Sequence, residues 1–156
     1  MDIKIPGKGL LQIENLLLDY NGTIACDGKM IPGVKNKIKA IEKLGIAVHV
    51  LTADTHGTVR RECDGMAVNI QVFDTASAGY SKKEIAKKLG HESCACIGNG
   101  FNDGMMFETC ALSIVVMGQE GCSVKALTKA DLACKTIDDA FDLILNPTRV
   151  VAGLRG

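Results

Sequence analysis

Short apolar runs alternate with segments of helical periodicity along this 156-residue chain, and no other feature constrains its fold as tightly. The runs at 15–19, 46–52, 68–73, 93–97, 112–117 and 131–133 have strand length and composition. Between them, 34–44 carries Val34, Ile38, Ile41 and Leu44 at three- and four-residue intervals, with lysines on the opposite face. The segment 81–89 repeats the pattern with Ile85, Ala86 and Leu89 before Gly90, and 121–129 and 137–145 read as helices too. Strand–helix alternation implies a parallel sheet between two helix layers. The strands are continuously apolar, as expected where both sheet faces are covered. The expectation is a three-layer α/β/α Rossmann-like domain over 1–156, with a mostly parallel sheet of five to six strands. In such sheets ligands bind beyond the carboxyl ends of the strands, so the polar residues just after each run are where chemistry is expected.

Composition narrows the classes. Eighteen basic residues balance eighteen acidic ones, leaving no net field to draw the chain to nucleic acid or an anionic membrane. The apolar runs are too short to span a bilayer, and the first residues, MDIKIPGKG, lack the apolar stretch of a secretory signal. A cytoplasmic location is the expectation. The seven cysteines (Cys26, Cys63, Cys94, Cys96, Cys110, Cys122 and Cys134) are odd in number and form no C-x-x-C. Cys94 and Cys96 share one strand face and read as small buried hydrophobes; a soft-metal site there would need a third ligand.

Three strands deliver small, polar and acidic residues to one edge. The first ends in Asp19-Tyr20-Asn21-Gly22-Thr23, the second in Thr52-Ala53-Asp54 and the fourth in Gly98-Asn99-Gly100-Phe101-Asn102-Asp103-Gly104. Singly, each Asp or Asn is more often a helix cap or turn residue than a catalyst. Their convergence carries the signal.

Together these residues resemble the haloacid dehalogenase superfamily of phosphotransferases. LLLDYNGT is similar to its first motif, VLTAD to its second, the lysine of YSKKEIAKKLG to its third and IGNGFND to its fourth. Within that superfamily the chain looks like the phosphorylation domain of P-type ATPases and the small soluble proteins built from it. The resemblance implies a Mg²⁺-dependent phosphatase or phosphotransferase in which Asp19 takes up the phosphoryl group. It further implies that Asp19, the Asn21 carbonyl and Asn99 hold Mg²⁺, with Asp103 in or beside the metal's ligand set. Thr52 and Lys82 would serve Asp19 in catalysis, and Asn21, Gly22, Thr52, Ala53, Lys82 and Asn102 would line the phosphate. Lys83 is the neighbouring alternative to Lys82, but Lys82 shares its helix face with Ile85 and Leu89.

A carboxylate nucleophile suits phosphoryl transfer, which needs an in-line attacker and charge neutralisation. Mg²⁺ suits the site because it takes oxygen ligands from few carboxylates and the substrate phosphate. Two departures matter. Asn21 stands where most of the superfamily's phosphatases carry an Asp that acts as general acid and base, which an amide cannot do. Asn99 stands where Asp is the usual metal ligand, so Asp103 or Asp54 would have to compensate. Slow turnover, a preference for good leaving groups or a long-lived aspartyl-phosphate is expected. Residues 24–31 leave room only for a short flap hairpin with Asp27-Gly28 as its turn, and no cap domain. An open site accepts a phosphorylated small molecule or a phosphoprotein, or is covered by a second copy of the chain. The alternatives are a catalytically weak regulatory or interaction module and, less favoured, a thiol-rich metal-handling protein.

Overall fold

The computed structural model describes residues 1–53 and 57–156. It opens on an antiparallel hairpin, β1 (Asp2–Ile5) and β2 (Gly9–Gln12), and enters the main sheet at β3 (Asn15–Asp19). A small hairpin, β4 (Ala25–Cys26) and β5 (Lys29–Met30), precedes α1 (Val34–Glu42), β6 (Ala47–Thr52), α2 (Val59–Glu62) and β7 (Asn69–Val72). The second half runs α3 (Ala78–Lys88), β8 (Cys94–Gly98), α4 (Gly104–Phe107), β9 (Leu112–Val116), α5 (Val124–Leu127), β10 (Leu132–Cys134), α6 (Ile137–Leu145) and α7 (Pro147–Leu154).

Six of these strands form one sheet in the order β10-β9-β8-β3-β6-β7, with every neighbouring pair parallel. The first strand to enter, β3, sits inside the sheet, and later strands are laid down outward on either side of it. The winding reverses between β3 and β8, which makes their carboxyl ends the switch point where such sheets bind ligands.

Side-chain alternation along β3 divides the core. Leu16 and Leu18 face a large apolar cluster with Val34, Ile38 and Ile41 of α1 and with Phe141 and Ile144 of α6. Leu17 faces the other way, into a cluster with Ile85 and Ala86 of α3, Met106 and Phe107 of α4, and both Cys94 and Cys96. By the same period of two, Asp19 follows Leu17 onto the α3 side of the sheet.

The boundaries differ from the periodicity at identifiable places. α3 starts three residues before 81, because Asp74 accepts the N–H of Ala76 and winds a 3₁₀ turn (Thr75–Ser77) that leads into it. The 121–129 segment is helical only over Val124–Leu127, where Ser123 caps the N-terminus by accepting from Ala126. The last strand is Leu132–Cys134 rather than 131–133. Asp131 instead accepts the Ser113 N–H and hydroxyl through its side chain. In the flap, Ala25 pairs with Met30 and Cys26 with Lys29. Its two-residue turn is Asp27-Gly28, both left-handed (φ 49° and 74°), the backbone a type I′ turn demands.

Candidate active site

Lys82 belongs to the inward stripe of α3 with Ile85 and Ala86, and it is wholly buried. A buried ammonium must find anions, and this one finds two. Its Nζ donates to Asp19 Oδ1 at 2.5 Å and to Asp103 Oδ1 at 2.6 Å. The second oxygen of Asp103 accepts the N–H groups of Asn99 (3.0 Å) and Gly100 (2.8 Å). Asp103, itself fully buried, therefore fastens the turn after β8 to the lysine. A Cβ on Gly98 would stand 2.4 Å from that carboxylate, so glycine is required at the end of this strand. Lys83, half-buried on the next position, joins no ion pair among the described residues.

The other side of Asp19 is built by the turn that follows it. Thr23 donates its hydroxyl to Asp19 Oδ2 at 2.9 Å, and the same hydroxyl lies 3.3 Å from Asn99 Oδ1. Asn99 is oriented by its amide nitrogen, which donates to the Gly121 carbonyl at 2.9 Å. That bond leaves Asn99 Oδ1 facing the Thr23–Asp19 pair. Gly22 has a left-handed backbone (φ 78°), and a Cβ there would fall 2.2 Å from the Asn99 amide nitrogen. The glycine is needed for both reasons.

Charge in this cluster is unbalanced, with two carboxylates against one ammonium. Burial and then the Asp103 carboxylate push the Asp19 pKa up from its ordinary 3.8 to about 6, although Lys82 and Thr23 pull the other way. Burial works against the Lys82 ammonium, but Asp103 and Asp19 outweigh it and its pKa is raised. The excess negative charge fits a hard divalent cation. So does the donor set: an Asp19 oxygen and an Asn99 oxygen converge on Thr23, and Asn21 Oδ1 is buried with no hydrogen-bond partner among the described residues. Asp103, its oxygens committed to Lys82 and two amides, is placed to hold the lysine and the strand-end turn.

Thr52 is buried at the last position of β6, one residue beyond the Leu51 that pairs with Asp19 in register. Half-buried Ala53 follows. Asn102 is half-buried in the 3₁₀ turn Phe101–Asp103. Asp54 lies outside the described residues. Single-residue reading does not single out Thr23 or the Gly121 carbonyl. The first is visible as the Thr of D-x-x-G-T, whereas the second, 22 residues from Asn99, has no local signature.

Cys94 and Cys96 are buried together on the α3 side, and all seven thiols are free. Burial pushes the Cys94 thiol up to about 12 and the Cys96 thiol well above its usual range, which leaves them protonated and poor metal ligands. Among the described residues, three His, Cys, Asp or Glu donors come within 4.8 Å of one another only at Cys26 and Asp27 of the flap tip with Glu120 of the loop after β9. No helix of the described residues is long and apolar enough to cross a membrane.

No family model matches the chain. It is 37% identical over 73 residues to uncharacterized protein MJ0073 of Methanocaldococcus jannaschii, spanning 47% of this chain and 78% of that protein. It is also 25% identical over 135 residues to a soluble P-type ATPase-like phosphatase of the same organism, covering 85% of this chain but only about half (50%) of that relative's length. Among solved structures, a 3-deoxy-D-manno-octulosonate 8-phosphate phosphatase from Moraxella catarrhalis, in complex with magnesium, phosphate and KDO, superimposes with a TM-score of 0.70. It is 17% identical and covers 92% of this chain and 94% of its own. The cobalt-bound enzyme of the same kind from Haemophilus influenzae reaches a TM-score of 0.73 at 16% identity, covering 93% and 94%. These structures share the fold.

Proposed function

We propose that this chain, which belongs by its fold to the haloacid dehalogenase superfamily and by sequence alongside MJ0073, is a Mg²⁺-dependent phosphohydrolase acting through an aspartyl-phosphate on Asp19. The observation that carries this reading is the buried Lys82 ammonium bonded to both Asp19 and Asp103 at the switch point of the sheet. The phosphatase named among its relatives, and the magnesium and cobalt forms of its structural neighbours, support it.

The metal would be held by the Asp19 carboxylate, the Asn21 carbonyl and Asn99 Oδ1, with Asp103 steadying the strand-end turn beside them. Bound there, Mg²⁺ would supply the charge neutralisation that lets a carboxylate approach a phosphate dianion. One Asp19 oxygen attacks phosphorus in line, and the bond to the leaving oxygen breaks with its electron pair. Lys82 keeps Asp19 ionised and sets a positive charge beside the transferring group. Thr52, Ala53, Gly22 and Asn102 surround the phosphoryl oxygens. The leaving group takes its proton from solvent, since Asn21 has none of the right acidity to give. Water then attacks phosphorus, releasing inorganic phosphate and the Asp19 carboxylate. Without a carboxylate at position 21 this second step is slow. The substrate is a phosphorylated small molecule or a phosphoprotein, and a second copy of the chain covering the open site remains compatible with this scheme.

Incubation with acetyl phosphate or 4-nitrophenyl phosphate tests the reading. A hydroxylamine-labile phosphoprotein should form with Mg²⁺, vanish with EDTA and be absent in Asp19→Asn. A chain that neither labels nor hydrolyses either compound sinks it and favours the regulatory-module reading.

A further inference from the structure

A cavity of about 390 Å³ opens at the same edge of the sheet, walled by the start of α3 and by the turn after β8. These two elements also deliver Lys82 and Asp103 to Asp19. Tyr80, two residues before Lys82, and Phe101, two before Asp103, line it with Met105, and all three side chains are exposed. Exposed aromatic rings clustered in a concavity are a binding feature rather than a packing one. Its remaining wall holds Asn102, Lys125 and Lys129. Lys129 is already engaged by Glu108 at 2.8 Å. Lys125 has no carboxylate within ion-pair distance among the described residues; its Nζ sits 5.7 Å from the Phe101 ring centroid, over the ring.

We propose that this cavity receives the non-phosphoryl part of the substrate, and that this part is a planar aromatic group carrying a negative charge. The proposal rests on the phosphohydrolase reading of Asp19, because it takes the phosphoryl group to lie at Asp19 and Asn102 to stand between the two compartments. The aromatic ring lies against Phe101 and Tyr80, and its anionic substituent meets Lys125, among the described residues the one cation of the cavity not committed to a carboxylate. The volume suits one or two fused rings, at the small end of ligand pockets. A flexible aliphatic phosphate would leave both rings wet.

The test separates the cavity from the chemistry by using a probe with no phosphoryl group. In ¹H–¹⁵N NMR titrations of the full chain with 2-naphthoate, shifts should cluster on residues 76–80, 101–105 and 125–129. They should persist in Asp19→Asn, while Phe101→Ala should weaken binding about tenfold, the scale of one lost stacking contact. Lys125→Gln should weaken naphthoate but not neutral 2-naphthalenemethanol. With active protein, Phe101→Ala should lower the kcat/KM ratio of 4-nitrophenyl phosphate to acetyl phosphate about tenfold. Phe101 and Lys125 are exposed, so unchanged thermal melting will show that the variants fold. Naphthoate that fails to bind, binds elsewhere, or binds Phe101→Ala as well as the parent overturns the proposal, even where acetyl phosphate is hydrolysed. A positive titration with a chain inert toward phosphates would leave the cavity standing and remove its link to Asp19. Tighter binding of an aromatic-rich peptide than of naphthoate would reassign the surface to a protein partner and also overturn it.

Discussion

Two residues decide how far the chemistry goes. Asn21 carries a buried side-chain oxygen with no partner among the described residues, in the turn that follows Asp19, the nucleophile proposed above. Asn21→Asp puts a proton carrier at that place. General acid–base catalysis contributes typically about 10²–10⁴-fold, so the lifetime of the hydroxylamine-labile phosphoprotein should shorten by a factor in that range, read by quench-flow. An unchanged lifetime would mean that water is activated by some other group. Asp19 is itself held at a disadvantage when ionised, by burial and by the Asp103 carboxylate. Its folded pKa of about 6 lies above the ordinary 3.8, so between those values the folded chain holds a proton that the unfolded chain has released. Stability of the metal-free protein from this residue is therefore fully present below about pH 4 and lost as pH rises through 6. The loss is bounded at about 3 kcal/mol by a shift of that size. Asp19→Asn should melt higher than the parent at pH 7 without metal and show a flatter pH profile. Equal melting at pH 7 would contradict the strain assigned to the ionised carboxylate.

At the scale of elements, the site is a contract between three strand ends and one loop. The loop after β9 reaches it through the Gly121 carbonyl, which binds the Asn99 amide, and it meets the flap where Glu120 accepts the Asp27 N–H at 2.8 Å. Asn99→Asp would restore the usual carboxylate ligand but turn an oxygen toward the Gly121 carbonyl and add charge beside Asp19. Without metal it should destabilise by about 1–3 kcal/mol, the cost of a buried acceptor left facing an acceptor, and Mg²⁺ should recover much of that. Thermal melts with and without Mg²⁺ check it; destabilisation that metal does not relieve would argue against Asn99 Oδ1 as a ligand. The bond to Gly121 also explains why an amide is tolerated there, which motif spacing does not convey. Strand β3 and helix α6 were legible to the residue, because a continuous apolar run ending in Asp and a capped, strongly amphipathic nine-residue stretch each admit one reading. The β1–β2 hairpin was not legible, since two four-residue strands joined at Pro6-Gly7-Lys8 are too short to show a period. Nor was α7, which starts at Pro147 immediately after Asn146 ends α6. The Asp19–Lys82–Asp103 cluster was reachable in outline from three motifs. The hydrogen bonds around it, from Thr23 to Asp19 and from Asn99 to the Gly121 carbonyl, depend on contacts that only the folded sheet brings together.

The whole molecule is electrically neutral, yet it buries one more carboxylate than ammonium at the switch point, so metal binding and folding should be linked there. At a concentration a hundredfold above its Kd, Mg²⁺ should stabilise the chain by about 3 kcal/mol, a rise of roughly 6–10 °C for a protein of this size. Protons compete for the same oxygens. With Asp19 titrating near 6, Mg²⁺ at pH 5 must displace a proton that is already gone at pH 7.5, and its apparent affinity should drop by about tenfold for each unit below 6. The rise in melting temperature should therefore be large at pH 7.5, small at pH 5, and small at both in Asp19→Asn. A competing location exists at the flap tip, where Cys26, Asp27 and Glu120 approach one another. These groups are more exposed to water, and the Asp27 and Glu120 carboxylates are not buried against another charge. A Mg²⁺ shift that survives Asp19→Asn but disappears in Glu120→Gln would place the cation on the flap and leave the Asp19 cluster without its proposed metal. The opposite pattern ties the cation, the nucleophile and the stability of the fold to one carboxylate.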